Sequence, residues 1–251
     1  MGRICGEKGM KLLIFDVGGV LRDSKHAMYI AFKKAFERAG IEFKFNPSEV
    51  WHLRGIGSYN SSKNAVKVML CLSKENIKLK EILCIEDAEE ILEEICKRHK
   101  LSEEVISRIS TTYKEIFGSQ DIKKYIKVFP YAEKAINNLK EKGYELAIFT
   151  NASKKTVMRD IPFYRKFSVI LGEGEVKKKP SGEGILKICE ILGYKPKEAG
   201  YVGDSQIDIL AARDAGCSAI AVLSGMGLRI HLEKLKPDYL FKNILEMSEK
   251  L

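Results

Sequence analysis

The second half of the chain alternates between amphipathic stretches and short runs of apolar residues. After Pro130, apolar positions recur at helical spacing over 131–142 and stop at Gly143, and the apolar run 144–150 (YELAIFT) follows. The same alternation predicts helices at 153–160, 181–192, 206–215 and 243–250 and strands at 168–172, 199–204, 218–223 and 238–241. Because these strands are apolar throughout, we expect helices on both faces of one doubly wound parallel sheet.

A similar apolar run at 11–17 (KLLIFDV), closed by Gly18-Gly19, predicts one more buried strand near the start of the chain. The pattern is different between these regions, where amphipathic stretches occupy 64–72, 81–98 and 102–117 with almost no strand signal. An insert of about 100 residues can bury a small core of its own. We therefore predict an α/β protein whose core is formed by residues 1–23 and 127–251, with an all-helical inserted domain at 24–126.

Composition narrows the possible classes of protein. The 251 residues carry a net charge of +9, but the excess is spread along the chain, and residues 81–90 hold five acidic residues and no basic one. With no zinc-finger spacing or basic heptads, we expect no nucleic-acid partner. The sequence contains no run of 18 apolar residues, so we expect neither a membrane-spanning segment nor a membrane partner.

Six scattered cysteines without a CxxC pair favour reduced thiols and a cytoplasmic protein. Met10 directly precedes the first strand, so we interpret residues 1–9 as a poorly ordered extension. The oligomeric state stays open between monomer and dimer.

Polar residues follow the predicted strands at the points where a doubly wound sheet binds its ligands. They are Asp16, Thr150 with Asn151, Lys179, and Asp204 with Asp208. Each one alone would be an ordinary helix cap, turn residue or surface lysine. Because the carboxyl ends of parallel strands share one edge of the sheet, we expect these side chains to meet there.

Four segments carry these residues in a fixed order: FDVGGVLRDS, AIFTNAS, KKKPSGEGILK and YVGDSQIDILAARDAG. They resemble the four motifs of the haloacid dehalogenase-like (HAD) hydrolase superfamily. The helical insert falls between the first and second motifs, where that family places its type-1 cap. The chain looks similar to the phosphoglycolate phosphatase-like members, whose core is Rossmann-like.

The resemblance implies a phosphohydrolase of small phosphorylated metabolites. In that scheme Asp16 is the nucleophile and forms an aspartyl-phosphate intermediate that water hydrolyses. Thr150 offers its hydroxyl and Asn151 its backbone N–H to the phosphoryl oxygens. Lys179 neutralises the charge shared by the nucleophile and the phosphate.

The resemblance also implies a Mg²⁺ cofactor. Asp16, Asp204 and the backbone carbonyl of Gly18 would hold the ion, and Asp208 would support it or its waters. Oxygen ligands and retained waters suit Mg²⁺.

The first motif departs from the family pattern at Gly18. The phosphatases of the family carry a second Asp there, which acts as general acid and base, and such a group is worth about 10²–10⁴-fold in rate. Substrates with good leaving groups, such as acyl or aryl phosphates, would suffer least from its loss. Asp23, His26 and His52 are the candidates to replace it, although a turn or surface role is the more ordinary expectation for Asp23 and His26.

The segment 52–58 (HLRGIGS) lies between helical stretches of the insert. Arg54 is a candidate substrate-binding residue that could contact a carboxylate or a second phosphate. An ordinary glycine-containing connector is an equally good interpretation of this segment.

Gly18 also leaves other activities open. A binding or regulatory protein with weak or lost turnover is the first alternative, although the intact aspartates and Lys179 oppose it. A phosphonate hydrolase would need a cap lysine, for which Lys63 and Lys67 are candidates, and a dehalogenase fits the segment GDSQIDI less well. A nucleic-acid binder is a distant further alternative.

Overall fold

The computed structural model describes residues 9–75 and 77–251. The predicted N-terminal extension and Cys5 therefore lie outside the described residues, apart from Gly9. The strands are β1 (Leu12–Phe15), β2 (Arg22–Asp23), β3 (Lys127–Val128), β4 (Glu145–Phe149), β5 (Val169–Leu171), β6 (Ala199–Gly203), β7 (Ser218–Val222) and β8 (Tyr239–Phe241).

The helices among the described residues range from 4 to 16 residues in length. They are α1 (Lys25–Arg38), α2 (Pro47–Leu53), α3 (Ser62–Leu72), α4 (Leu79–Leu83), α5 (Ala88–Lys97), α6 (Glu103–Gly118), α7 (Gln120–Lys123), α8 (Ala132–Glu141), α9 (Lys154–Asp160), α10 (Glu183–Leu192), α11 (Gln206–Ala215), α12 (Arg229–Lys234) and α13 (Ile244–Lys250).

Six strands form a parallel sheet in the order β5-β4-β1-β6-β7-β8. All four residues of the central strand β1 are buried, as expected for a strand covered on both faces. Phe15 is paired with Ile148 of β4 and with Val202 of β6, so the carboxyl ends of these three strands lie at the same level. The predicted fold class, a doubly wound parallel sheet with a helical insert, is confirmed.

Local sequence explains how the helices beside this sheet begin and end. Ser205 and Asp208 form a reciprocal capping box at the start of α11. The helix ends at Gly216, whose φ of +70° lies in the left-handed region that glycine adopts at low cost. Such caps fix the direction in which the chain leaves β6, and therefore the position of the residues that follow it.

The chain divides into two compact units. The α/β unit contains the described residues up to Asp23 together with 127–225 and 235–251, and the helical unit contains residues 24–126 and 226–234. The helical unit has its own core, in which α1 packs on α6 and α3 packs on α5 and α6. Phe32, Trp51 and Met69 are among the side chains buried in that core.

Residues 226–234 belong to the helical unit, whereas the sequence pattern predicted them to be part of the α/β core. The reason is a set of contacts between residues far apart in sequence. His52 Nδ1 donates to the carbonyl oxygen of Met226 at 2.8 Å, and His231 Nε2 donates to that of Ile85 at 2.9 Å. Lys234 Nζ lies 2.7 Å from Asp87 Oδ1. None of these pairs has a local sequence signal.

The structure also differs from the predicted elements at other places, which include the unpredicted helices α7 and α12. The predicted helix 81–98 is broken into α4 and α5 by a turn in which the Ile85 N–H donates to the carbonyl oxygen of Ile82. Helix α2 was not predicted, although Pro47 at its first position and the capping box of Asn46 and Glu49 mark its start. The antiparallel pair β2–β3 is too short to leave a periodic pattern.

In the part of the chain that the structure describes, no helix combines the length and the apolar character that crossing a bilayer requires.

Candidate active site

The site begins where the central strand ends. Asp16 follows Phe15 directly, and its N–H donates to the carbonyl oxygen of Val202 at 2.9 Å. This bond continues the parallel pairing by one residue and fixes the backbone of Asp16 against β6. By the register of the sheet, Thr150 after β4 and Asp204 after β6 leave the same edge. All three side chains are buried.

Lys179 joins two of the aspartates. Its Nζ lies 2.9 Å from Asp16 Oδ1 and 2.6 Å from Asp208 Oδ1. Burial by itself lowers the pKa of Lys179, but the two carboxylates outweigh it and hold that pKa well above its ordinary value. The ammonium group therefore stays charged, and its charge is directed at the carboxylates rather than at solvent.

Lys179 is held in position by a residue of the loop after β4 and by a residue of β6. Asn151 Oδ1 accepts a hydrogen bond from the backbone N–H of Lys179 at 2.9 Å. The ammonium nitrogen lies 5.4 Å from the ring centroid of Tyr201, within the range of a cation–π contact. The hydroxyl of Tyr201 donates to the carbonyl oxygen of Phe149 at 2.7 Å, which ties the ring to β4.

The carboxylates of Asp16, Asp204 and Asp208 each place an oxygen within 4.8 Å of the others. Three buried carboxylates beside one ammonium group leave two negative charges uncompensated, which is costly away from water. A hard divalent cation would remove that cost, and carboxylate and carbonyl oxygens are the ligands that Mg²⁺ takes. The donor set therefore fits such an ion.

Two backbone segments approach Asp204 so closely that only glycine fits at positions 19 and 225. A Cβ added to Gly19 or to Gly225 would collide with Asp204 Oδ2. Gly19 has a φ of +70°, and its carbonyl oxygen accepts a hydrogen bond from Ser224 Oγ at 2.7 Å. Asp204 is thus enclosed by two loops that approach it closely, and it is 0% exposed.

Asp208 is held by four donors. Its Oδ2 accepts from the N–H of Asp204 at 3.2 Å and from the N–H and Oγ of Ser205 at 2.9 and 2.6 Å. Its Oδ1 accepts from Lys179. Asp208 therefore fixes the loop that carries Asp204 and orients the lysine. Burial raises the pKa of Asp208, and the hydrogen bonds from Lys179 and Ser205 act against that shift.

The predicted phosphate-binding pair lies at the end of β4. The N–H of Thr150 donates to the carbonyl oxygen of Leu171 at 3.1 Å, and its Oγ1 accepts from the N–H of Ala152 at 3.3 Å. Because Oγ1 acts as an acceptor there, its own proton stays available to another group. The side-chain contact of Asn151 with Lys179 was not predicted, since only the backbone of Asn151 was considered.

Gly18 differs from its neighbour Gly19. No atom of the described residues lies within 4 Å of a Cβ added to Gly18, and its φ lies outside the left-handed region. A side chain would therefore fit at this position. Within the α/β unit, the backbone does not explain why the residue is glycine.

The candidates in the helical unit have partners of their own there. Arg54 lies 5.8 Å from the ring centroids of both Phe32 and Tyr113, and its Nη2 donates to the carbonyl oxygen of Asn60. His26 packs against the ring of Tyr125 at 5.1 Å between centroids.

The other candidates in the helical unit are a half-buried histidine and two exposed lysines. His52 bonds to Met226, and burial lowers its pKa. Lys63 forms an exposed ion pair with Glu103 at 2.8 Å, and Lys67 is exposed.

Ser205, Ser224 and Gly225 contribute to the site and were not predicted from the sequence. The spacing of Ser205 and Asp208 is that of a capping box, so this signal was present in the sequence. Ser224 and Gly225 follow β7 and were not singled out, although that strand ends at the same edge of the sheet.

The chain matches a family model described as haloacid dehalogenase-like hydrolase over residues 10–216. A phosphoglycolate phosphatase from Aquifex aeolicus is 27% identical over 92% of this chain and 91% of that protein. A pyrophosphatase, PpaX, from Bacillus cereus is 27% identical over 59% of this chain and 70% of that protein. A phosphoglycolate phosphatase from Pasteurella multocida is 32% identical, but the match spans only 55% of its length.

Solved structures share the fold at lower identity. A predicted phosphoglycolate phosphatase from Haemophilus somnus has a TM-score of 0.69 at 23% identity, covering 97% of this chain and 99% of that one. A haloacid dehalogenase-like family protein from Streptococcus pneumoniae has a TM-score of 0.68 at 19% identity, with coverage of 96% and 97%. Since the family model spans most of the chain and includes Asp16, Lys179 and Asp204, this protein belongs to the haloacid dehalogenase-like hydrolase family.

Proposed function

We propose that this protein is a Mg²⁺-dependent phosphatase of small phosphorylated metabolites that acts through an aspartyl-phosphate intermediate on Asp16. The observation that carries the proposal is the buried cluster in which Lys179 bridges Asp16 and Asp208 beside Asp204. The phosphatase names of several relatives point to the same kind of substrate.

In this mechanism Asp16 attacks the phosphorus atom of the substrate. A bond forms between a carboxylate oxygen of Asp16 and phosphorus, and the bond to the leaving oxygen breaks with its electron pair. Water then attacks the same phosphorus atom, the bond to Asp16 breaks, and phosphate is released with Asp16 restored. Lys179 lies 2.9 Å from Asp16 and stabilises the charge that builds on the transferring group.

Asp16, Asp204 and the carbonyl of Gly18 would hold Mg²⁺, and Asp208 would support the site through the loop of Asp204 and through Lys179. When bound, the ion supplies positive charge to the phosphoryl oxygens. Thr150 and the N–H of Asn151 would bind those oxygens from the neighbouring strand.

Counting charges explains why cations are essential here. Three aspartates and a phosphate dianion carry five negative charges, whereas Mg²⁺ and Lys179 supply three positive ones. Two unit charges 4 Å apart interact by about 4 kcal/mol at an effective dielectric constant near 20. Without these cations the substrate would be repelled from the nucleophile.

The substrates expected from Gly18 are those whose leaving group needs no proton. Acyl phosphates, phosphoanhydrides and aryl phosphates with electron-withdrawing rings, such as p-nitrophenyl phosphate, release weakly basic anions, so the missing acid affects them least. The pyrophosphatase among the relatives is named for a phosphoanhydride substrate. Arg54 is proposed to contact a carboxylate or second phosphate of the substrate.

A second candidate function is a binding or regulatory protein of the same family with little turnover. Gly18 favours it, since the position has space for an acid and carries none. The two functions differ in whether phosphate is released repeatedly.

The test is phosphate release from p-nitrophenyl phosphate. We expect turnover with Mg²⁺, no turnover with EDTA, and loss of at least about 10³-fold in Asp16→Asn, because the amide cannot serve as the nucleophile. Asp121→Asn, at an exposed aspartate of the helical unit, should leave the rate unchanged. Equal rates in Asp16→Asn and the wild type would contradict the mechanism. Binding of phosphate without turnover would favour the regulatory protein.

A further inference from the structure

A buried arginine lies in the same loop as Asp16. Arg22 is 5% exposed. Its backbone N–H donates to the carbonyl oxygen of Val17 at 3.1 Å, and its carbonyl oxygen accepts from the backbone N–H of Gly19 at 2.8 Å. The guanidinium is thus carried by the loop that begins at the proposed nucleophile.

The partner of Arg22 is a carboxylate that has to be shared. Arg22 Nη1 contacts Asp160 Oδ2 at the end of α9. Arg159 Nη2 donates to the same oxygen at 2.9 Å. One carboxylate therefore faces two guanidinium groups, and the three side chains keep a net positive charge.

The cluster is also incompletely satisfied. Arg22 Nε is buried and has no hydrogen-bond partner among the described residues. A buried donor without a partner is costly, so a purely stabilising ion pair would not be expected to leave one. Asp160 therefore does not satisfy all the donors of Arg22.

The cluster links the loop of Asp16 to the C-terminal end of α9, the helix that follows the loop of Thr150 and Asn151. Asp160 ends the helix that begins just after Thr150 and Asn151, and Arg22 belongs to the loop of Asp16. Burial lowers the pKa of Arg22 to about 10, and the charge of Asp16 acts in the opposite direction. Arg22 and Asp16 lie in one loop, in which the backbone N–H of Arg22 bonds to Val17, the residue after Asp16.

We propose that Arg22 is a second buried cation of the phosphoryl site, whose charge strengthens the binding of anionic substrate without touching it, and that Asp160 limits this charge. The inference rests on the proposed function, because it takes phosphate to be the group that binds beside Asp16. Arg22 is in this sense a positioning residue that acts through the field at Asp16.

A mere structural clamp and an electrostatic role predict different results for the two partners of the pair. If Arg22 and Asp160 only hold the loop to α9, removing either one should weaken the site. If the charge of Arg22 acts on the ligand, Arg22→Met should weaken anion binding, whereas Asp160→Asn should leave it intact or strengthen it.

The experiment measures the affinity of the full-length protein for inorganic phosphate with Mg²⁺, by calorimetry. We expect Kd to rise about 3–10-fold in Arg22→Met, and to stay equal or fall up to about threefold in Asp160→Asn. Arg22→Lys, which keeps the charge, should stay within about twofold of the wild type. Arg165→Met, at an exposed arginine that follows the same helix, is the matched control and should not change Kd.

An equal loss of affinity in Arg22→Met and Asp160→Asn, or in Arg22→Met and Arg22→Lys, would overturn the inference. The second comparison decides the question even if Asp160→Asn does not fold. If the wild type and Arg22→Met bind phosphate equally well, this inference alone is overturned. A wild-type protein that binds no phosphate would overturn the proposed function together with it.

Discussion

The two units of the protein bury polar groups in different ways. In the helical unit, Glu49 is the only buried carboxylate among the described residues, and it accepts from the N–H of Asn46 at 2.8 Å and from that of Lys80 at 3.2 Å. Ser62 and Ser110 bond to each other at 2.8 Å. Each of these buried polar groups has a hydrogen-bond partner in the backbone or in another side chain, as a stable interior requires.

In the α/β unit, buried charges are concentrated at one edge of the sheet. Lys179 bridges Asp16 and Asp208, and a third buried carboxylate, that of Asp204, lies beside these two. Such crowding does not maximise stability, because like charges repel and desolvation is costly. The difference teaches that buried charges with an excess of one sign indicate a site for an ionic ligand, whereas balanced buried polar groups indicate architecture.

The largest effect on activity and stability is expected from the removal of Lys179. We expect Lys179→Met to lower kcat/KM by at least about 10²-fold, because the charge on the transferring phosphoryl group loses its stabilising partner. Leaving two buried carboxylates without their cation should also cost about 3–5 kcal/mol in the free energy of unfolding. Steady-state kinetics and urea denaturation without Mg²⁺ measure the two effects.

Lys178→Met is the matched control for this prediction. Lys178 is exposed and forms an ion pair with Glu173 at 2.6 Å, so its loss should change stability by about 0–1 kcal/mol and leave activity intact. Similar effects of the two substitutions would contradict the distinction between the buried site and the surface.

Restoring an acid should sharpen the description of the site. The open space at Gly18 can hold a side chain, so we expect Gly18→Asp to raise kcat/KM on phenyl phosphate, whose leaving group is basic, by about 10-fold or more. The gain on p-nitrophenyl phosphate should be much smaller, because that leaving group needs no proton. Rates on the two substrates measure the effect.

Gly19→Ala shows what a poorly tolerated substitution looks like at the next position. Its Cβ would collide with Asp204 at a φ of +70°, so activity and stability should both fall. No gain in Gly18→Asp on phenyl phosphate would mean that another residue supplies the proton or that the aspartate does not reach the leaving group.

The smallest effect is expected from a buried carboxylate of the helical unit. Glu49→Ala should lower the free energy of unfolding by about 1–2 kcal/mol, because the N–H groups of Asn46 and Lys80 lose their acceptor. The value of kcat/KM should not change. Glu81→Ala, at an exposed residue of α4, should alter neither quantity. Loss of activity in Glu49→Ala but not in Glu81→Ala would mean that Glu49 also contributes to catalysis.

Much of the fold could be predicted because the strands are apolar throughout and the helices end at glycines. The proposed site residues were predicted from the ends of the strands and from motifs that resemble a known family. The break between α4 and α5 was missed because residues 81–98 keep a helical pattern through a turn that is set by local hydrogen bonds. The length of β2 and β3, two residues each, left no pattern to detect.

The sequence by itself determined the alternation of strand and helix, and therefore a parallel sheet whose carboxyl ends carry Asp16, Thr150 and Asp204. It did so because burial on both faces and helix capping act within short segments. Only the tertiary structure decided that Asn151 holds Lys179, that Arg22 faces Asp160, and that residues 226–234 join the helical unit. These contacts join residues that are distant along the chain, and packing rather than local pattern selects them.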